Sequence, residues 1–449
     1  MMRTGGCRPT TGFQIPAAIL LTSIICGLAL SAGCGKMAPP GVSKRQFGVH
    51  YDTAYETWAR NPEKPLPALV RGAWDEFFDT LAEPVAIVDW REDGSTWEVY
   101  HATNRKPTGS DIETFSKQRA SENSYGVARV DLPRRQRGIS PDAIESGLAS
   151  ASPSSAKGRL IARLPESEII GREEFVSGLS RQITASRQQD LLLFVHGFNV
   201  GFEEAVVRTA QIALDLPFNG AVVCYSWPSQ QGLNTYQKDE QLNQESVPAF
   251  AEFLTTLRDE LPEGTRIHLV VHSMGNRLVL RGLQSTEKTS SGIWLENLVL
   301  CAPDVGIGDF QDWIPAAARQ AERTTLYVSR GDVALVASEN LHLESRIGNG
   351  TALDVVDDIE TIDCSEIEFS FLGHSYYGSN LDVLGDLFEL IKLDRPAHKR
   401  AHLRSVAKGT GERWTFEELP RQVLWTWNFD TSQPVTAEST PERDATVRQ

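Results

Sequence analysis

The sequence predicts an α/β fold in which a mostly parallel central sheet is covered by helices on both faces. Three observations carry this. From Asp190 to Ile391, short apolar runs alternate with stretches of helical spacing, the order produced when each helix carries the chain back to start a new parallel strand. The runs are continuous rather than alternating, as in Leu191-Leu192-Leu193-Phe194-Val195, and a strand reads this way when both of its faces are buried. The composition, 41% hydrophobic and 23% charged over 449 residues, is that of a globular chain long enough to bury a large core.

The elements follow in order. Arg71 to Leu81 has helical spacing, and Trp97–Thr103 and Tyr125–Leu132 are predicted strands separated by a polar stretch. Residues 138–158, rich in Ser, Ala and Gly, read as a loop, followed by a strand at Arg159–Leu164 and a helix at Glu173–Thr184. The alternation then gives strand Asp190–His196, helix Glu203–Leu214, strand Ala221–Trp227 and helix Gln241–Leu261. It continues with strand Ile267–His272, helix Asn276–Gln284, strands at Asn297–Ala302 and Thr324–Ser329, a last strand at Glu366–Leu372 and a closing helix at Asn380–Ile391. Trp414–Trp427 is expected to pack back on the body, and Thr431–Gln449 reads as disordered.

The first 34 residues read as an address. Arg3 and Arg8 precede the apolar run Ile15–Leu30, which closes on Ser31-Ala32-Gly33-Cys34. Cysteine directly after Ala-Gly resembles a bacterial lipoprotein signal, in which Cys34 would carry the lipid and begin the mature chain. Ser31 stands where such signals usually have Leu, and an uncleaved anchor helix is the alternative reading. Either way the expectation is an exported, membrane-anchored protein of the cell envelope. The resulting division is a signal segment 1–34, a tether and N-terminal extension 35–96, the α/β domain 97–393 and a C-terminal extension 394–449.

A net charge of −15, from 44 Lys+Arg against 59 Asp+Glu, argues against a nucleic-acid partner, because phosphate binding depends on Lys and Arg neutralising the backbone. No heptad, collagen or solenoid repeat is present. Of the six cysteines, Cys7, Cys26 and Cys34 belong to the leader. Cys224, Cys301 and Cys364 sit in strand-like runs with no CxxC spacing or paired His, so they are expected in the core. No metal and no organic cofactor is predicted.

The chemistry centres on Val270-Val271-His272-Ser273-Met274-Gly275-Asn276. A serine in a sharp turn between a buried strand and a helix is lifted above the sheet, and the helix N-terminus behind it favours developing negative charge. Val271 occupies the position where the strict pattern has Gly. An oxyanion hole needs two backbone amides. Met274, after the nucleophile, supplies one. His196-Gly197-Phe198-Asn199, at the end of an earlier strand, supplies the Phe198 amide as the other.

In the chain order serine, acid, histidine, only His342, His374, His398 and His402 follow Ser273. His374 follows the last predicted strand and precedes the closing helix, so it is the predicted base. Two carboxylates end strands. Asp332 follows the second strand after the serine, the usual place of the acid in this triad order, and is the predicted acid; Asp304, following the first, is the alternative. Trp227 and Phe198 stand near strand ends, either lining an acyl pocket or filling core.

Val195-His196-Gly197-Phe198-Asn199, Tyr225-Ser226-Trp227-Pro228-Ser229, His272-Ser273-Met274-Gly275-Asn276, Ala302-Pro303-Asp304 and Gly373-His374-Ser375-Tyr376 together resemble the bacterial α/β-hydrolases called esterase/lipase-like, a family whose physiological function is unassigned. Tyr327-Val328-Ser329 with Asp332-Val333-Ala334-Leu335 fits the same family, and Tyr100-His101-Ala102-Thr103-Asn104-Arg105 resembles its opening strand. The resemblance implies an α/β-hydrolase fold over about residues 97–391 and a serine hydrolase with the triad Ser273, Asp332 and His374. The expected substrate is a small-molecule or lipid ester. An amide or thioester cleaved by the same triad is an alternative, as is a binding protein on a hydrolase fold.

Overall fold

The computed structural model describes residues 85–91, 94–109, 114–133, 163–216, 218–287, 292–350, 359–367, 381–400, 403–406 and 413–416. The leader with Cys34, the helix expected at Arg71–Leu81, the loop 138–158, His374, His402 and the segment 431–449 lie outside these residues.

One sheet organises them. Its strands are β1 (Ile87–Arg91), β2 (Gly94–Pro107), β3 (Phe115–Pro133), β4 (Arg163–Ile170), β5 (Asp190–Val195), β6 (Ala221–Ser226), β7 (Arg266–His272), β8 (Leu295–Cys301), β9 (Ala321–Val328), β10 (Glu360–Asp363), β11 (Leu403–Ser405) and β12 (Arg413–Phe416). The spatial order is β11-β12-β10-β9-β8-β7-β5-β6-β2-β3-β4, with β1 paired to β2. From β12 to β2 every neighbouring pair is parallel. The β1–β2–β3–β4 edge and the β11–β12 edge are antiparallel.

Eight α-helices are described: α1 (Arg172–Ala185), α2 (Phe202–Asp215), α3 (Tyr236–Glu245), α4 (Val247–Glu260), α5 (Gly275–Glu287), α6 (Ile307–Ala318), α7 (Val333–His342) and α8 (Leu381–Ile391). Successive side chains of a strand point to opposite faces, and β5 divides accordingly. Leu192 and Phe194 join a core with Ala205 and Val206 of α2 and Leu387 and Phe388 of α8. Leu191, Leu193 and Val195 join the opposite core, with Phe175 of α1, Phe253 of α4, Leu278 of α5 and Phe310 of α6. The fold is therefore the expected parallel sheet between two helical layers.

Three expectations change. The helix expected at Gln241–Leu261 is two helices. Pro248 sits in the first turn of α4 and has no N–H for a continuous helix, so the chain breaks at Ser246. A strand runs over Glu360–Asp363, ahead of the one expected at Glu366–Leu372; Glu366 lies in the turn after it, and residues 368–372 lie outside the described residues. Its acidic residues are neutralised sideways, Glu360 by Arg323 and Arg400 and Asp363 by Arg330 and Arg413, which hides a buried strand from a hydropathy reading. The strand expected at Arg159–Leu164 runs from Arg163 to Ile170.

The chain leaves β5 through α2 to β6 on one side, then returns through α3 and α4 to β7 on the other. At such a switch point the crossovers diverge and leave a crevice at the carboxyl ends of the strands. Ser273 follows β7 and Gly197 follows β5, on that edge.

Candidate active site

Ser273 has φ +51°, in the left-handed region that a side chain rarely adopts. Holding it there costs about 1–3 kcal/mol, which the surrounding bonds must overcome. The Ser273 N–H donates to the Cys301 carbonyl of β8 at 3.0 Å. Its carbonyl accepts from the Asn276 amide at 3.1 Å, from Asn276 Nδ2 at 2.9 Å and from the Asp304 amide at 3.3 Å. The turn is thus fixed from both sides.

β5 and β7 pair with Val195 opposite Val271, which brings the turns after them face to face. A Cβ on Gly197 would lie 2.7 Å from Ser273 Cβ, and one on Gly275 would lie 2.5 Å from the His196 carbonyl oxygen. Both glycines are there because backbone passes too close for a side chain. Val271 is wholly buried in the core shared with Leu278 and Val279. The tight approaches fall at Gly197 and Gly275 instead.

The loop after β5 is braced by groups from three elements. Arg105 of β2, 1% exposed, donates through Nη2 to the Val200 carbonyl at 2.9 Å and through Nη1 to the Ser229 carbonyl at 3.3 Å. The Val200 amide donates to Ser229 Oγ at 3.2 Å, and Ser229 in turn donates to Asp239 of α3. Trp227 stacks on His196 with ring centres 5.2 Å apart and donates Nε1–H to the His196 carbonyl at 2.8 Å. Trp227 is therefore wholly buried backing for the loop, whereas Phe198 is half-buried, with its ring edge-to-face against Tyr236.

The two candidate acids have different surroundings. Asp332, fully buried, caps α7, its Oδ1 accepting from the Ala334 and Leu335 amides at 3.1 Å each. Asp304 lies inside a charged cluster. It accepts from Arg277 Nη2 at 3.1 Å, from Ser338 Oγ at 2.6 Å and from the Tyr236 hydroxyl, with Arg346 Nε at 3.4 Å. Burial pushes its carboxyl up, but Arg277 and Arg346, with the two hydroxyl donors, outweigh it and hold it at about 2. Glu240 joins the cluster by pairing with Arg277 and with His342. His342 sits at the end of α7, its Nδ1 at 2.8 Å from the Ser338 carbonyl and its Nε2 at 2.6 Å from Glu240. Its two ring nitrogens are thereby occupied.

Two histidines of this region are buried as neutral rings. Burial holds His101 at about 3; burial, reinforced by the Arg105 charge, does the same to His196. In the unfolded chain both titrate near pH 6.5. Below that pH the unfolded chain takes up protons that the folded one refuses, so stability is expected to fall as pH drops from about 6.5 toward 3. The slope is about 1.4 kcal/mol per pH unit per histidine. Urea unfolding at a series of pH values checks this, and His101→Gln should flatten the dependence.

The turn after β7 with Ser273 and Met274 lies against the turn after β5 with Gly197 and Phe198, and the Asp304 amide donates to the Ser273 carbonyl. Asp332 stands after β9, two strands from β7. Of the bracing residues, Arg105, Ser226 and Ser229 stand in family motifs that the sequence offers without a role, whereas Asp239 and the Asp304 partners Arg277, Tyr236, Ser338 and Arg346 were not singled out. Their signal is a polar or charged residue next to a strand end, visible only once its acceptors are known. Cys224, Cys301 and Cys364 are buried free thiols, with burial pushing Cys224 up to about 12. Among the described residues no group of three His, Cys, Asp or Glu is placed to hold a metal ion, and no helix is long and apolar enough to cross a membrane.

Residues 172–392 match a protein family described as "Alpha/beta hydrolase of unknown function". No curated protein matches the sequence. Among solved structures, the hyperthermophilic esterase from the archaeon Pyrobaculum calidifontis is similar at 11% identity, over 85% of this chain and 99% of that one, with a TM-score of 0.30. A double variant of the esterase rPPE is similar at 10% identity over 74% and 79%, TM-score 0.24, and an arylesterase at 10% identity over 74% and 98%, TM-score 0.25. Superpositions this loose say nothing about substrate.

Proposed function

We propose that this α/β hydrolase, a member through residues 172–392 of a family of unassigned function, is a serine hydrolase that cleaves carboxylic esters through an acyl-enzyme. The observation that carries the reading is Ser273, held at positive φ between β7 and α5 with Gly197 against its Cβ. Backbone held in that conformation is uncommon outside glycine and clusters at active sites, and here the residue that adopts it carries a nucleophilic hydroxyl.

In this reading His374 takes the Ser273 Oγ proton as the oxygen attacks the ester carbonyl carbon. The Met274 and Phe198 amides hold the tetrahedral oxyanion, and Asp332 orients and stabilises the imidazolium. Collapse expels the alcohol, which leaves with the proton from His374. Water, deprotonated by the same histidine, then attacks the acyl carbon and releases the acid and Ser273. The protein's own groups supply every step. The leader extends the proposal: Cys34 would carry a lipid, holding the enzyme at an envelope membrane, where small-molecule or lipid esters are the substrates.

The test is a fluorophosphonate probe on the full chain, followed by peptide mass mapping. Phosphonylation confined to the peptide bearing Ser273 is expected. Folded protein that takes no label, or takes it elsewhere, ends the reading.

A further inference from the structure

We propose that Arg105 is a positioning residue for the oxyanion loop, aiming the Phe198 amide through Ser226 and His196 and clamping the loop at Val200. This rests on the serine-hydrolase reading above. Arg105 lies on β2, outside the segment that matches the family.

The chain of bonds has a fixed direction. Arg105 Nε–H donates to Ser226 Oγ at 2.9 Å, and a guanidinium can only donate. The Gly197 carbonyl, 2.8 Å from His196 Nδ1, can only accept, so Nδ1 carries the ring proton and donates to it. On a neutral ring Nε2 is then an acceptor, and the Ser226 hydroxyl 3.2 Å away donates to it. The His196 ring is held neutral by burial and by the Arg105 charge, which closes the alternative in which both nitrogens donate.

The last bond reaches the site. The Gly197 carbonyl and the Phe198 N–H are opposite ends of one planar trans peptide. Pinning the oxygen toward His196 therefore sends the N–H the other way. On the far side of Phe198, Arg105 Nη2 holds the Val200 carbonyl at 2.9 Å, and Asp239 accepts the Asn199 amide. Asn199 itself is left-handed at φ +61°, a second strained residue that the bracing must hold. One buried cation thus fixes both flanks of the donor without touching the substrate.

The experiment compares wild type, Arg105→Met and Lys392→Met as full chains. Lys392 is a buried cation paired with Asp190 at the opposite end of the strands, so its loss perturbs the fold but not the loop. For each, the fluorophosphonate labelling rate per folded molecule is measured with the melting temperature, and kcat and KM on a short p-nitrophenyl ester. Arg105→Met is expected to label about 10- to 100-fold more slowly and to lose kcat by the same factor with little change in KM, the mark of a lost transition-state contact. Lys392→Met should melt lower and label at the wild-type rate. Arg105→Lys covers a Met variant that does not fold: its single ammonium cannot reach all the acceptors, so the same slowing is expected. Wild-type labelling rates in folded Arg105 variants, or slowing matched by Lys392→Met, overturn the assignment. Unlabelled wild type marks instead the failure of the serine-hydrolase reading itself.

Discussion

Asp332→Asn is expected to lower kcat by about 10⁴-fold with little change in stability, as removing the charge of a triad acid does when the geometry survives. The geometry should survive because Asp332 caps α7 through Oδ1, which accepts the Ala334 and Leu335 amides, and an asparagine oxygen caps a helix equally well. What asparagine cannot do is balance the positive charge of an imidazolium. Asp304→Asn is expected to show the opposite balance. Its carboxylate faces Arg277 and Arg346 in a buried cluster, and neutralising it leaves cations against an amide, at about 3–5 kcal/mol. Some activity should remain in the folded fraction. Urea unfolding beside initial rates on a p-nitrophenyl ester separates the two. Activity that survives in Asp332→Asn and disappears from stable Asp304→Asn would transfer the acid role to Asp304.

The same contrast shows what a sequence can and cannot carry. β5 was legible because both its faces are covered, leaving five consecutive apolar residues with no solvent side to interrupt them. The serine turn was legible because a strand, a short turn and a helix occur in immediate succession, so its geometry is local. Choosing between Asp304 and Asp332 was not a local problem. The partners of Asp304 come from α3, α5, α7 and the turn after α7, and no spacing along the chain announces that they meet. The hairpin of β2 and β3 extends well past the apolar stretches that predict it, because its outer part carries exposed Lys117, Gln118 and Arg119 and is held by pairing and by contacts from other elements, such as Arg119 with Glu245 and Gln230 with the Lys117 carbonyl. β10 fails for the complementary reason, its charges being balanced by arginines from β9, β12 and the segments around them.

Gly197→Ala is expected to reduce kcat/KM by about 10²-fold, the scale of displacing one reacting group by a fraction of an ångström to an ångström. No positive φ is involved at this glycine, so the effect comes from contact alone. The new methyl would stand 2.7 Å from Ser273 Cβ, 3.0 Å from His272 Nδ1 and 3.2 Å from the His272 carbonyl. Ser273 is pinned by Cys301, Asn276 and Asp304, so the displacement falls on the Gly197 backbone, and the next peptide along carries the Phe198 amide. Gly282→Ala is the contrasting change. It lies later on α5, where the methyl would press on the Phe250 ring, 2.6 Å from Cδ1, deep in the core. Overpacking there should cost about 1–3 kcal/mol and leave the chemistry of folded molecules alone. Loss of activity in Gly197→Ala with near-normal melting, against loss of stability in Gly282→Ala with normal turnover, would locate the second oxyanion donor in the loop after β5. Full activity in folded Gly197→Ala would mean that the loop can move without consequence, and that the Phe198 amide is not a donor to the oxyanion.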